Sequence, residues 1–293
     1  MEIRVLRYFL ETAREGNMTR AAERLFISQP TMSKQLKELE RELGAKLFIR
    51  SNYSIKLTEA GMLLRDRAED IISLVDKTEA EFRSLEETSS GDIYVGAPES
   101  ESMLLFAETF RELQKEYPGI RCNIYSGNLE DVCARLDKGL LDLAIVMSYV
   151  DLEKYNYLAM NTEDTWGVVM RRDDPLAGKG SFTVSELIGL PLICSRQWSD
   201  HELHQWLGAE TRNLNIVATY NLAFNGAVMA KTGLGYEITL DRLIDTSNES
   251  ELVFRPLTDA PKTEMYVIWR KHQAFTPTAE LLMRELEKRF KKQ

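Results

Sequence analysis

Residues 17–44, NMTRAAERLFISQPTMSKQLKELERELG, hold two short helical patterns that meet at a tight junction, Leu25-Phe26-Ile27-Ser28. In the first pattern Ala21, Ala22 and Leu25 make a buried face whose small residues let a neighbouring helix approach closely, with Thr19 as the expected cap. In the second, Ser28 caps the helix and Pro30 sits in its first turn, where a missing N–H leaves no backbone bond unmade. Met32, Leu36, Leu39 and Leu43 recur at 4-3-4 spacing and point to a core, and Gly44 stops the helix. The opposite face carries Pro30, Thr31, Lys34, Lys37, Glu38 and Arg41, flanked by Gln29, Ser33 and Gln35. An ordinary amphipathic helix with a solvated face shows the same period, but its charges would not be sorted along its length. Here the outward residues of the first two turns are short, polar or basic, which suits base edges and phosphates in a DNA major groove. The acids Glu38, Glu40 and Glu42 fall in the C-terminal half, which is expected to tilt away from DNA.

Upstream, Val5, Leu6, Phe9, Leu10 and Ala13 form an apolar stripe that predicts a helix over residues 3–15, ended by Gly16-Asn17. Downstream, Leu47-Phe48-Ile49-Arg50, a polar turn at Ser51-Asn52 and Ser54-Ile55-Lys56-Leu57 read as a two-stranded wing, with Arg50 and Lys56 reaching for the minor groove or backbone. Residues 1–60 hold 11 Lys/Arg against 8 Asp/Glu, whereas the rest of the chain holds 26 against 38, within a net charge of −9. A basic head on an acidic body excludes general adhesion to nucleic acid and leaves room for one DNA-contacting module.

These residues carry a family resemblance. Ala21-Ala22-x-x-Leu25, Ser28-Gln29-Pro30-Thr31-x-Ser33-Lys34-Gln35, Leu39-Glu40-x-x-Leu43-Gly44, Leu47-Phe48-x-Arg50 and Leu57-Thr58-x-x-Gly61 together resemble the winged helix-turn-helix of the LysR-type transcriptional regulators. The resemblance implies DNA contacts from Thr19, Gln29, Pro30, Thr31, Ser33, Lys34, Gln35, Arg50 and Lys56. One departure is that Ser51-Asn52-Tyr53-Ser54 stands where the family's wing usually holds a second arginine, with Lys56 as its substitute.

Thr58 caps the next helix, and Glu59 places negative charge where the helix dipole favours it. Gly61, Leu64, Ala68, Ile71, Val75, Thr78, Phe82 and Leu85 alternate at 3-4 spacing, a seam expected to dimerise the chain and set the distance between two DNA-reading helices. Residues 88–92, Thr-Ser-Ser-Gly-Asp, read as a linker. Beyond it, strand and helix patterns alternate: strands at Ile93–Ala97, Ile120–Tyr125, Leu143–Met147, Trp166–Met170, Leu192–Ser195, Ile216–Tyr220, Leu252–Pro256 and Met265–Trp269, with helices at Met103–Glu116, Leu129–Lys138, Ala223–Lys231 and Thr278–Lys288. This is a doubly wound α/β pattern, whose ligands bind beyond the carboxyl ends of the strands.

The fold expected is α+β overall: a winged helix-turn-helix (residues 1–58), a long dimerising linker helix (59–88) and a two-lobed α/β effector domain (92–293). The order of elements resembles the LysR effector domain, akin to periplasmic solute-binding proteins. That resemblance implies lobe I from 92–160 and 266–293, lobe II from 161–265, and a cleft lined by Ser100, Ser102, Ser126, Met147, Ser195 and Asn221. After Gly235 the chain departs from the family's apolar run into Leu-Pro, and Glu99, Glu101 and Glu237 place negative charge near the cleft against Arg196. The effector is therefore expected to carry a cationic or hydroxyl group rather than to be a simple dicarboxylate.

No apolar run reaches the roughly 20 residues needed to span a bilayer. The charged N-terminus lacks a signal peptide's apolar core, so a cytoplasmic location and reduced thiols at Cys122, Cys133 and Cys194 are expected. His201-Glu202-Leu203-His204 lacks a third ligand and reads as a surface helix, not a metal site. No cofactor is expected, and neither a phosphate-binding glycine loop nor a nucleophile elbow is present. The expected partners are double-stranded DNA, a small-molecule effector and further copies of the chain, as a dimer or tetramer. The rival reading is a solute-binding protein or enzyme with an N-terminal helical dimerisation module.

Overall fold

The computed structural model describes all residues except 51–53, 85–89, 148–149, 197, 199–205, 207–213 and 292–293, and at 50 and 84 the backbone alone. The chain divides into two compact units, Met1–Arg83 and Ser84–Gln293.

The first unit comprises α1 (Ile3–Glu15), α2 (Met18–Arg24), α3 (Gln29–Leu43), β1 (Phe48–Arg50), β2 (Ile55–Leu57) and α4 (Glu59–Ser84). Gly16 ends α1 at φ +58°, where a side chain would be strained, and its carbonyl accepts the Ile55 N–H of β2 at 2.8 Å. The cap of α2 is Asn17 rather than Thr19: Asn17 Oδ1 accepts from the Thr19 and Arg20 amides at 2.9 and 3.1 Å. The helix therefore begins one residue before the expected cap. Ser28 Oγ accepts the Thr31 amide of α3, and Gly44 closes that helix at φ +65°. Phe9, Ala21, Ala22, Met32, Leu36 and Leu39 meet in one core, which Leu47 and Phe48 of the wing complete. Leu43, expected in that core, is 42% exposed at the C-terminal end of α3.

The acids of α3 do not share a face. Glu40 is 5% exposed and turns inward, accepting the Leu47 and Phe48 amides at 2.9 and 3.4 Å and meeting Lys46 Nζ at 3.4 Å. It clamps the start of the wing to α3. Thr58 Oγ1 donates to the Lys46 carbonyl at 2.6 Å and accepts the Gly61 amide at 3.0 Å. A Cβ on Gly61 would lie 2.2 Å from the Leu47 carbonyl oxygen, so the Leu-Thr-x-x-Gly spacing is the geometry of α4 passing against the wing.

The expected seam of α4 is shared between two uses. Gly61 and Ala68 are buried, and Leu64 and Ile71 pack on the first unit's own core. Further along the seam, Val75 is half-buried, Thr78 is exposed and Phe82 is 69% exposed, while Leu85 lies outside the described residues. The proximal part of the seam thus has its packing partner within the chain, and the distal part is left largely exposed.

The second unit comprises β3 (Ser90–Ala97), α5 (Met103–Glu116), β4 (Gly119–Ser126), α6 (Leu129–Asp137), β5 (Leu143–Met147), β6 (Tyr155–Asp164), β7 (Trp166–Arg171), β8 (Pro191–Ser195), β9 (Asn215–Tyr220), α7 (Ala223–Lys231), β10 (Tyr236–Leu240), β11 (Leu252–Pro256), β12 (Thr263–Arg270) and α8 (Pro277–Phe290). The linker expectation fails at its C-terminal end, since Ser90, Gly91 and Asp92 pair with β4. Its residues 88 and 89 lie outside the described residues. Two five-stranded sheets have orders β4-β3-β5-β12-β6 and β11-β7-β10-β8-β9. Strands β3, β4 and β5 run parallel, and β12 returns antiparallel between β5 and β6. The chain passes between the sheets at Thr165 and again before Thr263. Both crossings are pinned: Trp166 Nε1 donates to Thr263 Oγ1 at 2.8 Å, and Asp164 accepts from Ser100 and Ser102 hydroxyls at 2.5 and 2.8 Å.

Replacing Glu40 by alanine strands two amides that it now satisfies, at a cost of ~1–3 kcal/mol, whereas Glu40→Gln keeps one acceptor and costs less. Urea denaturation of both variants checks this order, and equal stability of wild type and Glu40→Ala would remove the clamp.

Candidate functional site

The face of α3 leaves Gln29, Pro30, Thr31, Lys34 and Lys37 exposed and Ser33, Gln35 and Glu38 half-buried. Gln29, Pro30, Ser33, Lys34, Lys37, Glu38 and Arg41 line one shallow groove. The arginines of α2 are occupied: Arg20 pairs with Glu15, and Arg24 with Glu11 and Glu15. Lys34 and Lys37 have no such ion pair among the described residues, which leaves their charge for phosphates. Thr19 is exposed at the start of α2, and Lys56 is exposed on β2 opposite Ile49. Arg50 pairs with Ile55 through its backbone; its side chain and the wing turn 51–53 lie outside the described residues. One feature of this face went unread in the sequence: Phe26, in the turn between α2 and α3, is 95% exposed at φ +55°. A bulky residue in the left-handed region is held at a cost, and such costs cluster at functional surfaces.

In the second unit a cavity of about 360 Å³ lies between the two sheets. Lobe I contributes Pro98, Glu99, Asn128, Asp131, Ile145 and Met147; the other sheet contributes Trp166, Ser195, Arg196, Tyr220, Asn221 and Thr239. Of the expected lining, Met147, Ser195 and Asn221 are present. Ser100 and Ser102 are not, because both hydroxyls are buried and committed to Asp164 at the crossing. Ser126 is exposed at the end of β4 and outside the lining, while the next two residues enter it. Asn128 also accepts the Asp131 amide at 2.8 Å, and Ser195 the Trp198 amide at 3.0 Å, so each caps a turn while facing the cavity. Ser148, Gln197 and the His201–His204 stretch lie outside the described residues. Tyr220, the last residue of β9, and Thr239 of β10 are wall residues that carried no sequence signal.

Three acids were expected near the cleft. Glu99 lines it, and its Oε2 accepts the Ala223 amide at the start of α7 at 2.6 Å. Glu101 is exposed and outside the lining. Glu237, the second residue of β10, lies behind the wall, fully buried between β7 and β8. A Cβ on Gly226 would come within 2.3 Å of Glu237 Oε1 and 2.7 Å of the Tyr220 ring, so this glycine of α7 makes the room for both. Neither Glu237 oxygen has a hydrogen-bond partner among the described residues. Burial, and then the charge of Glu99, push its carboxyl up to about 8, so it is neutral at pH 7. Tyr220 donates its hydroxyl to the Ile238 carbonyl at 2.7 Å and is raised well above its ordinary value by burial and by Glu237.

Burial also pushes the Cys122 thiol up to about 12 and raises that of Cys133, which disfavours reactive thiolates. No group of three metal-ligating side chains occurs among the described residues.

A carboxyl raised from 4.5 to about 8 holds a proton in the folded chain that the unfolded chain has lost, so its contribution to stability falls as pH rises between those values. Glu237→Gln is therefore expected to melt close to wild type near pH 4.5 and above it at pH 8. Thermal denaturation at both values checks this, and a gap that narrows with rising pH would contradict the assignment.

Residues 3–62 match the family profile described as bacterial regulatory helix-turn-helix protein, lysR family, and residues 86–291 the LysR substrate binding domain. The chain is 27% identical to the uncharacterized HTH-type transcriptional regulator YnfL of Escherichia coli over 95% of both chains. It is 31% identical to the HTH-type transcriptional regulator YtlI of Bacillus subtilis over 75% of this chain and 72% of that one. The crystal structure of CbnR, a LysR family transcriptional regulator, shares the fold at TM-score 0.77 and 18% identity over 99% of each chain. Full-length CbnR complexed with its target DNA aligns at TM-score 0.75, with 18% identity over 99% of this chain and all of that one. With both profiles matched in order and the helix-turn-helix and two-sheet cleft in place, the chain belongs to the LysR family of transcriptional regulators.

Proposed function

We propose that this regulator reads a dyad-symmetric DNA site as a homo-oligomer and is switched by a small molecule in the cleft between its two sheets. The observation that supports it most directly is the outward face of α3, whose first two turns present Gln29, Thr31, Ser33 and Lys34 beside cations that no described carboxylate neutralises. Gln29, Pro30, Thr31, Ser33 and Gln35 take base edges in the major groove; Thr19, Lys34, Arg50 and Lys56 take phosphates or the minor groove. The related structure of CbnR is of a complex with its target DNA, which favours the same use of this helix.

In this reading the chain works as residues 1–58 for DNA, 59–88 for pairing, and 92–293 for effector, without enzymatic activity. Met147, Ser195 and Asn221 remain as effector contacts, joined by Asn128, Tyr220 and Thr239 from the same cavity. An effector acts by binding one arrangement of subunits better than another, and a coupling of ~1–3 kcal/mol is typical. Self-association draws on the exposed distal face of α4 and on apolar patches at Leu104 and Ile124 and at Phe224 and Val228 of the second unit. No helix among the described residues is long and apolar enough to cross a membrane.

Lys34→Ala is expected to weaken binding to the promoter region nearest the gene at all sequences and to lower the salt slope by about 1. Gln29→Ala is expected to relax sequence preference at a cost of ~1–3 kcal/mol. Fluorescence anisotropy across a salt series reads both; unchanged affinity and slope in the two variants would discard the assignment. Phe82→Glu tests pairing better than Ile71→Glu, since Ile71 packs on its own core. Sedimentation should show Phe82→Glu shifted toward smaller species, and an unaltered oligomer would take this face out of the interface.

A further inference from the structure

We infer that the cleft takes a small organic amine, its ammonium set against Glu99 and within the field of Glu237, its apolar body lying along Ile145, Met147 and Leu240. The inference rests on the cleft being the effector site and names the chemical class of what enters it.

The first observation is the charge of the wall. Among the lining residues Glu99 and Asp131 are acidic and Arg196 is basic, so an anionic guest would bring its charge against two carboxylates. Glu99 is also held in place, because the Ala223 amide fixes one of its oxygens. A fixed carboxylate at the wall loses little freedom when it meets a cation.

The second observation is independent of the wall. Glu237 stands in the middle of an apolar layer that includes Val169, Ile193, Ala227 and Leu252, with both oxygens unbonded among the described residues. A packed apolar residue there would be less costly, since a buried carboxyl without partners is destabilising. Its electrostatic neighbour is Glu99, which faces the cavity, and the Tyr220 ring beside it is cavity wall. The titratable groups that face it are thus Glu99 from the loop after β3 and Tyr220 from β9, with Cys194 of β8 next to Tyr220. Burial raises the Glu237 carboxyl first and the charge of Glu99 second; a cation at Glu99 offsets the second, so binding the amine at neutral pH shifts part of the Glu237 population to the carboxylate and releases that proton to the buffer. The buried acid then serves as a second counter-charge that appears only when the guest is present. The cavity volume falls at the small end of the ~300–1,000 Å³ usual for small-molecule sites, with an apolar side formed by Ile145, Val146, Met147, Leu240 and Leu243.

The test uses the full-length protein and two matched probe sets: cadaverine, glutarate and the corresponding diol; phenethylamine, phenylacetate and the corresponding alcohol. Thermal shift at about pH 7, near a unit below the Glu237 value, is expected to show stabilisation by an amine and none by its acid or alcohol counterpart. Glu99→Gln, which keeps an acceptor for the Ala223 amide, is expected to weaken that amine by at least ~10-fold. Calorimetry in phosphate and in HEPES buffers is expected to show proton release on amine binding to wild type and none in Glu237→Gln. Stabilisation by glutarate or phenylacetate alone, by none of the six probes, or by an amine without proton release overturns the inference. A carboxylate whose effect is lost in a cleft-filling Ser195→Trp variant would leave the cleft reading standing. An amine that stabilises wild type, Glu99→Gln and Ser195→Trp alike would instead overturn the cleft reading itself.

Discussion

A carboxyl group taken out of water must be paired, hydrogen-bonded or protonated, and much of this structure depends on how three of them meet that demand. Glu40 is satisfied by the backbone amides of Leu47 and Phe48. Asp164 is satisfied by the hydroxyls of Ser100 and Ser102. Glu237 finds no described partner and keeps its proton. Each stands where two parts of the fold must hold a fixed relation: helix against wing, sheet against sheet, and strand core against cavity wall.

The first two carboxyls act as fasteners. Because Glu40 binds the start of the wing from inside α3, the orientation of the wing is tied to the helix whose outer face carries Gln29, Thr31 and Lys34. Gly61 tightens the same corner by letting α4 pass against the Leu47 carbonyl. Around Asp164, two serines that look like ligand contacts are spent on fixing the crossing between sheets, close to the Trp166–Thr263 bond at the second crossing. A cleft whose two walls are joined at such short crossings can change its opening through few backbone torsions, which is what a ligand-driven switch requires.

Much of the first unit was legible because its signals are local. A capping serine, a proline in the first turn, a glycine at the helix end and apolar residues at 4-3-4 spacing act over a few residues, and α1 and α3 lie where those signals put them. The second unit was legible where strands are apolar: β5 and β11 match their expected limits. Strands β6 and β10 were not foreseen, since YNYLAMNTED and YEITL mix polar and apolar residues without clean alternation, and β10 hides a glutamate in its buried face. The α4 seam was read as one interface because periodicity reports which face is apolar and is silent on which neighbour covers it.

Sequence alone determined the family resemblance, the sorted polar face of α3 and the place of Glu99 at the cleft, all consequences of residue type at short spacing. Tertiary structure alone decided which serines line the cavity and which brace the crossing. The same was true of Glu40, which turned inward, and of α4, whose seam was divided between residues packed on its own core and residues left exposed. Hydroxyls and carboxyls are chemically equal along the chain; only the approach of a distant strand, helix or amide determines whether each one is a fastener or a contact.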